Sequence, residues 1–197
     1  MTSQTARYRV TFDSTWSGST HPEDFPGSAH YSGLIGGTHS SSVSFWRDGD
    51  QASEGIRLMA ERGSKSPLSQ EVQDAINAGT AEFVLSGGAL GTSPGAISME
   101  FEITQKSPLV TLVTMVAPSP DWFVGVSGLA LFESGDWVST RTVTLSAYDA
   151  GTDSGATYSS ADRATSPREP ISRINGYPMS VNGSVAPLGT FRFERIP

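Results

Sequence analysis

The stretch LVTLVTMVAPSPDWFVGV, residues 109–126, places two apolar runs on either side of a short turn carrying Pro118, Pro120 and Asp121. Each run is rich in valine and other residues that suit a pleated, buried surface, and each is far too short to cross a membrane. They read as strands at 109–116 and 122–132. The prolines stiffen the entry to the turn, and the apolar strands fix it at one end of the sheet they join. Asp121 therefore sits on a rigid frame.

Working outward, Tyr8, Val10 and Phe12 alternate with Arg9, Thr11 and Asp13, the period of a strand with one wet face. Further strands are expected at 43–46, 81–85, 97–104, 141–146 and 190–196, separated by turns such as SGGALGTSPG and FESGDW. Residues 15–42 read as a long ordered loop, rich in Gly, Ser and Pro and anchored by Trp16, Phe25, Tyr31, Leu34 and Ile35. Two short helices interrupt the strands. One spans 51–62, with Ile56, Met59 and Ala60 on one face and Gly63 as its C-terminal stop. The other spans 68–78, with Ser66 as candidate cap, Pro67 in the first turn and Gly79 ending it. Residues 154–170 are polar and expected to be mobile.

The composition agrees with an all-β chain. Hydrophobic residues are 37% of 197, and the 21 glycines and 12 prolines fall mostly between short apolar runs. That length suits a single sandwich domain over 1–197. Thirteen basic residues against 20 acidic ones give a net charge of -7, which leaves no basic face for nucleic acid. There is no cysteine, so disulfides and thiolate metal sites are excluded. No apolar segment reaches the ~18 residues of a membrane helix, and the N-terminal residues lack the apolar core of a signal peptide. The expected setting is secreted or cell-surface, with any export signal missing from this sequence.

The acidic loops carry the chemistry. In AYDAGTDSGA, Asp149 and Asp153 lie four residues apart, and Gly151 and Gly155 permit the turning that brings both carboxylates toward one point. Calcium takes 6 to 8 oxygen ligands, and aspartates with main-chain carbonyls on loops supply them. Asp149 and Asp153 could equally be turn residues that accept main-chain hydrogen bonds. The spacing leaves both readings open.

Other constellations favour simpler readings. His21, His30 and His39 all fall in one irregular region, where their even spacing has no geometric meaning, so hydrogen-bonded packing is the better reading. No G-x-S-x-G elbow stands between a strand and a helix, and no serine hydrolase is indicated. Glu100 with Glu102, or Asp48 with Asp50, imitate a glycosidase pair, yet alternate strand positions usually share a solvated face. Of Trp16, Trp46, Trp122 and Trp137, burial is expected for at least three, and Trp122 is the candidate for ligand stacking because it follows Asp121.

The segments YRVTFDSTWS, HPEDFPGSAHYSGLIGGTH, FWRDGDQASEGIRLMAERG, PSPDWFVGV and DAGTDSG, in this order over residues 8–158, resemble the spondin N-terminal domain, the module of F-spondin and mindin. The resemblance implies an antiparallel eight-stranded β-sandwich similar to the calcium-dependent lipid-binding (C2-like) domains, with one calcium ion (Ca2+) held by loops at one end. It implies Asp121, Asp149 and Asp153 as ligands, with main-chain oxygens completing the shell. Glu100 falls where the animal proteins carry an acidic residue associated with the metal. The chain departs from those relatives in having neither cysteines nor appended thrombospondin repeats, and so looks like a bacterial single-domain member.

The expected function is a calcium-binding recognition or adhesion module, without enzymatic activity, that engages a glycan, a matrix component or a cell-surface protein. A calcium-rigidified structural or self-assembling surface protein is the alternative. An uncharacterised hydrolase is the third.

Overall fold

Tyr8, Val10 and Phe12 point inward from β1 (Thr5–Ser14), and the alternation read in the sequence appears directly in its burial. The computed structural model describes residues 2–197. After β1 come β2 (His30–His39), α1 (Glu54–Arg62), α2 (Leu68–Asn77), β3 (Ala81–Leu90), β4 (Gly95–Thr104), β5 (Leu109–Ala117) and β6 (Trp122–Ala130). A hairpin of β7 (Phe132–Glu133) and β8 (Asp136–Trp137) precedes β9 (Thr140–Leu145), β10 (Tyr148–Asp149) and β11 (Ser172–Arg173). The chain ends with β12 (Ser180–Val181), β13 (Ser184–Val185) and β14 (Gly189–Ile196). Fourteen strands, rather than the expected eight, are therefore present among the described residues; six of them are two-residue pieces that close turns or extend a sheet edge.

All strand pairings are antiparallel. One sheet has the order β4-β1-β14-β9 and the other β11-β10-β6-β5-β2-β3. Tyr8, Phe12, Phe191 and Phe193 of the first sheet share a buried cluster with Leu34, Leu112 and Val124 of the second, so the core lies between two facing sheets. Both helices cover the outer face of the six-stranded sheet, where Ile56, Met59, Leu68 and Val72 pack on Ile35, Val113 and Phe123. This explains the unbroken burial of β5 from Val110 to Ala117, Thr111 and Thr114 included, since the strand is central in its sheet and covered on both faces.

The helices end as their residues dictate. Ser53 Oγ accepts the Ile56 N–H at 3.1 Å, and Gly63 stops α1 at a left-handed φ of 66°. Glu71 reaches across from α2 to accept Gly55 N–H and Ser53 Oγ–H, both at 2.7 Å, so the second helix secures the start of the first. Ser66 makes no cap: Pro67 occupies that position, and no side chain bonds the first turn of α2.

Two expectations fail between β1 and α1. The loop read over 15–42 contains β2, and the strand read at 43–46 is irregular. Four residues of HYSGLIGGTH obscure the strand period, because Gly33, Gly36 and Gly37 remove the side chains and Ser32 is polar. Close approach requires the gap at Gly36, where a Cβ would stand 1.9 Å from the Thr111 carbonyl oxygen on β5. Residues 43–46 are apolar for a different reason: Phe45 and Trp46 are loop anchors buried under the helices' cluster. The 154–170 segment, expected to be mobile, is bonded back on itself, with Ser154 N–H donating to Arg163 O at 2.7 Å.

Candidate metal centre

Asp121 emerges from the β5–β6 turn with no exposed surface. Its Oδ2 accepts Thr152 N–H at 2.7 Å, Thr152 Oγ1–H at 3.1 Å and Asp153 N–H at 3.0 Å. One carboxylate oxygen thus gathers the loop after β10 onto the turn before β6. The other, Oδ1, is buried and has no hydrogen-bond partner. Such an orphan is costly, and burial together with the Asp149 charge pushes the Asp121 carboxyl up to about 7.

Asp149 and Asp153 each close a tight turn of their own. Asp149 Oδ1 accepts Gly151 N–H at 2.7 Å, where Gly151 adopts φ 73° and its missing side chain admits the Glu169 carbonyl. Asp153 Oδ1 accepts Gly155 N–H and Oδ2 accepts Arg163 N–H, both at 2.8 Å. The turn reading of these aspartates is therefore part of their role. Burial raises the Asp149 carboxyl, the Gly151 amide and the Trp122 side chain hold it down, and the charges of Glu169 and Asp153 push it further up. Among the described residues no three His, Cys, Asp or Glu side chains stand at mutual metal-ligating distances.

The family model Spondin_N matches residues 6–184. The chain belongs to the spondin N-terminal domain family. Spondin-2 of Rattus norvegicus is 36% identical over 195 residues, covering 97% of this chain and 58% of that protein. Spondin-2 of Homo sapiens is likewise 36% identical, with 57% of its length covered. Spondin-1 of Rattus norvegicus is 36% identical over 206 residues, with 98% of this chain and 25% of that protein covered. The spondin domain here thus spans little more than half of one curated relative and a quarter of the other. These relatives are animal proteins and do not bear on a bacterial source.

Two expected site residues of this spondin domain have other surroundings than expected, Glu100 by its place in the fold and Trp122 by its burial. Glu100 lies on the exposed face of β4, in the other sheet from β6, where it pairs with Arg7 at 2.7 Å and Arg9 at 2.6 Å. Those two guanidiniums, Arg9 first, lower its carboxyl, and they account for an acidic residue at this position without a metal. Trp122 is 3% exposed and packs edge-on against Tyr158, so no face of the indole is open for ligand stacking. Trp16, Trp46 and Trp137 are buried as well. The histidines separate: His21 lies 3.1 Å from Ala186 O, His30 2.6 Å from Ser28 O, and His39 2.8 Å from Thr111 Oγ1.

Thr152 is the site residue that sequence reading passed over. Its amide and hydroxyl supply two of the three bonds to Asp121. A β-branched hydroxyl residue between two loop aspartates was the available signal.

Proposed function

We propose that this spondin domain is a calcium-stabilised recognition module of an extracellular protein, with Asp121, Asp149 and Asp153 as the acidic ligands. The observation that carries the reading is Asp121 Oδ1, a buried carboxylate oxygen with no donor, next to a second carboxylate whose charge it feels. A hard cation satisfies such an oxygen and reverses the repulsion between neighbouring aspartates. Oxygen-only donors on loops suit calcium, which accepts the main-chain carbonyls that these three carboxylates need as company. Asp149 and Asp153 keep lone pairs free beyond their turn bonds, and the flexible ligand sphere of calcium allows the loops to close on it. The likeness to the calcium-dependent lipid-binding sandwiches belongs to the same proposal.

In this reading the ion fixes the end of the sandwich that meets a partner, a matrix component, glycan or cell-surface protein. It performs no chemistry. The extracellular setting follows the family, and no helix among the described residues is long and apolar enough to cross a membrane. Thermal melting in calcium and in chelator tests the reading. Calcium at about a hundred times its dissociation constant adds about 2.7 kcal/mol, which raises the melting temperature by roughly 5–10 °C in a chain of this size. Equal melting in the two conditions contradicts it.

A further inference from the structure

The pairing of Tyr148 with Phe123 is the last contact between β10 and β6, because Ser146 and Ala147 carry the chain across to β9 in the other sheet. Farther along β6, Arg141 Nη1 of β9 donates to the Ala130 carbonyl at 2.8 Å. Between these two points the β6 main chain is bonded from the β5 side, by strand pairing and by Gly128 N–H to Thr111 Oγ1 at 3.0 Å. Among the described residues no bond reaches the main-chain groups of residues 124–129 from the opposite side; the Ser127 hydroxyl donates to the Trp46 carbonyl.

A groove of ≈ 700 Å³ runs along this bare stretch, walled by Val43, Ser44 and Trp46 from one segment and Val143, Thr144 and Ser146 from another, with Tyr148 also lining it. Gly125, Val126, Ser127, Gly128, Leu129 and Ala130 line it without a gap. Side chains alternate across a sheet, so a groove lying on a face would meet every second residue. Six in succession mean that it meets the strand's edge. Its charge is also distinctive. The chain has 20 acidic and 13 basic residues, yet only Arg47 and Asp48 reach this groove, and they cancel. An uncharged occupant matches it, while a polyanionic glycan would find a single cation.

We propose that this groove binds an extended, uncharged peptide segment of a partner protein, which adds to the six-stranded sheet as a strand beside β6 and in line with β10. Main-chain groups at a free edge pair with another backbone, and the flanks, apolar residues interspersed with hydroxyls, accept alternate side chains of the added strand. The bare stretch of residues 124–129 accommodates about six residues, roughly 20 Å of extended chain. The inference rests on the recognition reading above but not on the ion, since no metal-ligand candidate lines the groove.

The test is an NMR titration of the whole chain with an acetylated, amidated hexapeptide of alternating threonine and valine. The amides of residues 124–129 should shift. N-methylation of the peptide along one of its two edges should weaken binding about tenfold or more, and along the other leave it nearly unchanged, because only one edge faces β6. Ser44→Trp, which fills the groove from an exposed position, should weaken binding similarly. Unmoved amides, equal binding of both N-methylated peptides, or displacement of those shifts by neutral maltohexaose alone would overturn the proposal. Titrations in calcium and in chelator separate the two readings: a calcium-dependent melting shift that persists in a protein indifferent to the peptide leaves the metal standing and removes the groove.

Discussion

The Asp121 carboxylate accepts the main-chain N–H of Thr152 at 2.7 Å, joining the proline turn before β6 to the loop after β10. This bond adds a buried side-chain tie to the main-chain bond from Ala150 N–H to Asp121 O at 3.1 Å. It also separates two effects of altering that side chain, the loss of an acceptor and the loss of a charge.

Asp121→Ala removes the acceptor and strands the Thr152 and Asp153 amides, so it should destabilise the protein in chelator by about 2–4 kcal/mol. Asp121→Asn keeps a carbonyl oxygen for those donors and removes a buried charge, so its stability in chelator should lie within about 1 kcal/mol of the parent or above it. Urea unfolding of the three proteins decides the matter. Equal losses in both variants would mean that the charge itself holds the apo loop.

Glu100→Ala should leave calcium binding unchanged and alter stability by no more than about 0.5 kcal/mol, because its partners are exposed arginines on the other sheet. A calorimetric titration of this variant checks it. Weakened calcium affinity would return Glu100 to the metal site.

Gly36→Ala should cost about 3 kcal/mol or more, since its Cβ would meet the Thr111 carbonyl oxygen at 1.9 Å and force β2 away from β5. Thermal melting measures it, and a near-neutral substitution would show that the two strands can separate cheaply.

His39 is buried against Phe45 with its Nε2 2.8 Å from Thr111 Oγ1, and burial lowers its pKa below the ordinary 6.5. The unfolded chain therefore binds more protons than the folded one between the lowered value and 6.5. Against the raised carboxyls of Asp121 and Asp149, which contribute in the opposite sense, the His39 contribution to stability is full above that window and falls as the pH drops through it. His21, lowered by burial as well, acts in the same direction. NMR titration of the two imidazoles checks this, and a His39 midpoint at or above 6.5 would contradict it.

The parts of this fold legible in the sequence are those where local chemistry and tertiary packing agree. Ser53 and Gly63 bound α1 as their side chains and φ angles require, and the alternation of Tyr8, Val10 and Phe12 survives into the core. β2 was illegible because its glycines serve contacts with β5 and β3, partners distant in sequence, and those contacts remove the apolar alternation that marks a strand. Residues 43–46 misled for the converse reason, since Phe45 and Trp46 are apolar anchors in an irregular segment. Within the site, Asp121, Asp149 and Asp153 were legible as acids on glycine- and proline-bearing turns. The donors around them were not, because Thr152 reaches Asp121 across 31 residues of chain. The β6 groove left no sequence signal at all; a bare strand edge arises only from where Ser146 and Ala147 carry the chain between β9 and β10, in different sheets.

Calorimetric titration of calcium into the chelator-treated protein, run beside Asp121→Asn, tests the central claim most directly. The account predicts one ion bound per chain in the parent and loss of that binding in the variant, while both proteins retain the same fold by circular dichroism. Absence of binding in the parent, or equal binding in the two, would contradict it.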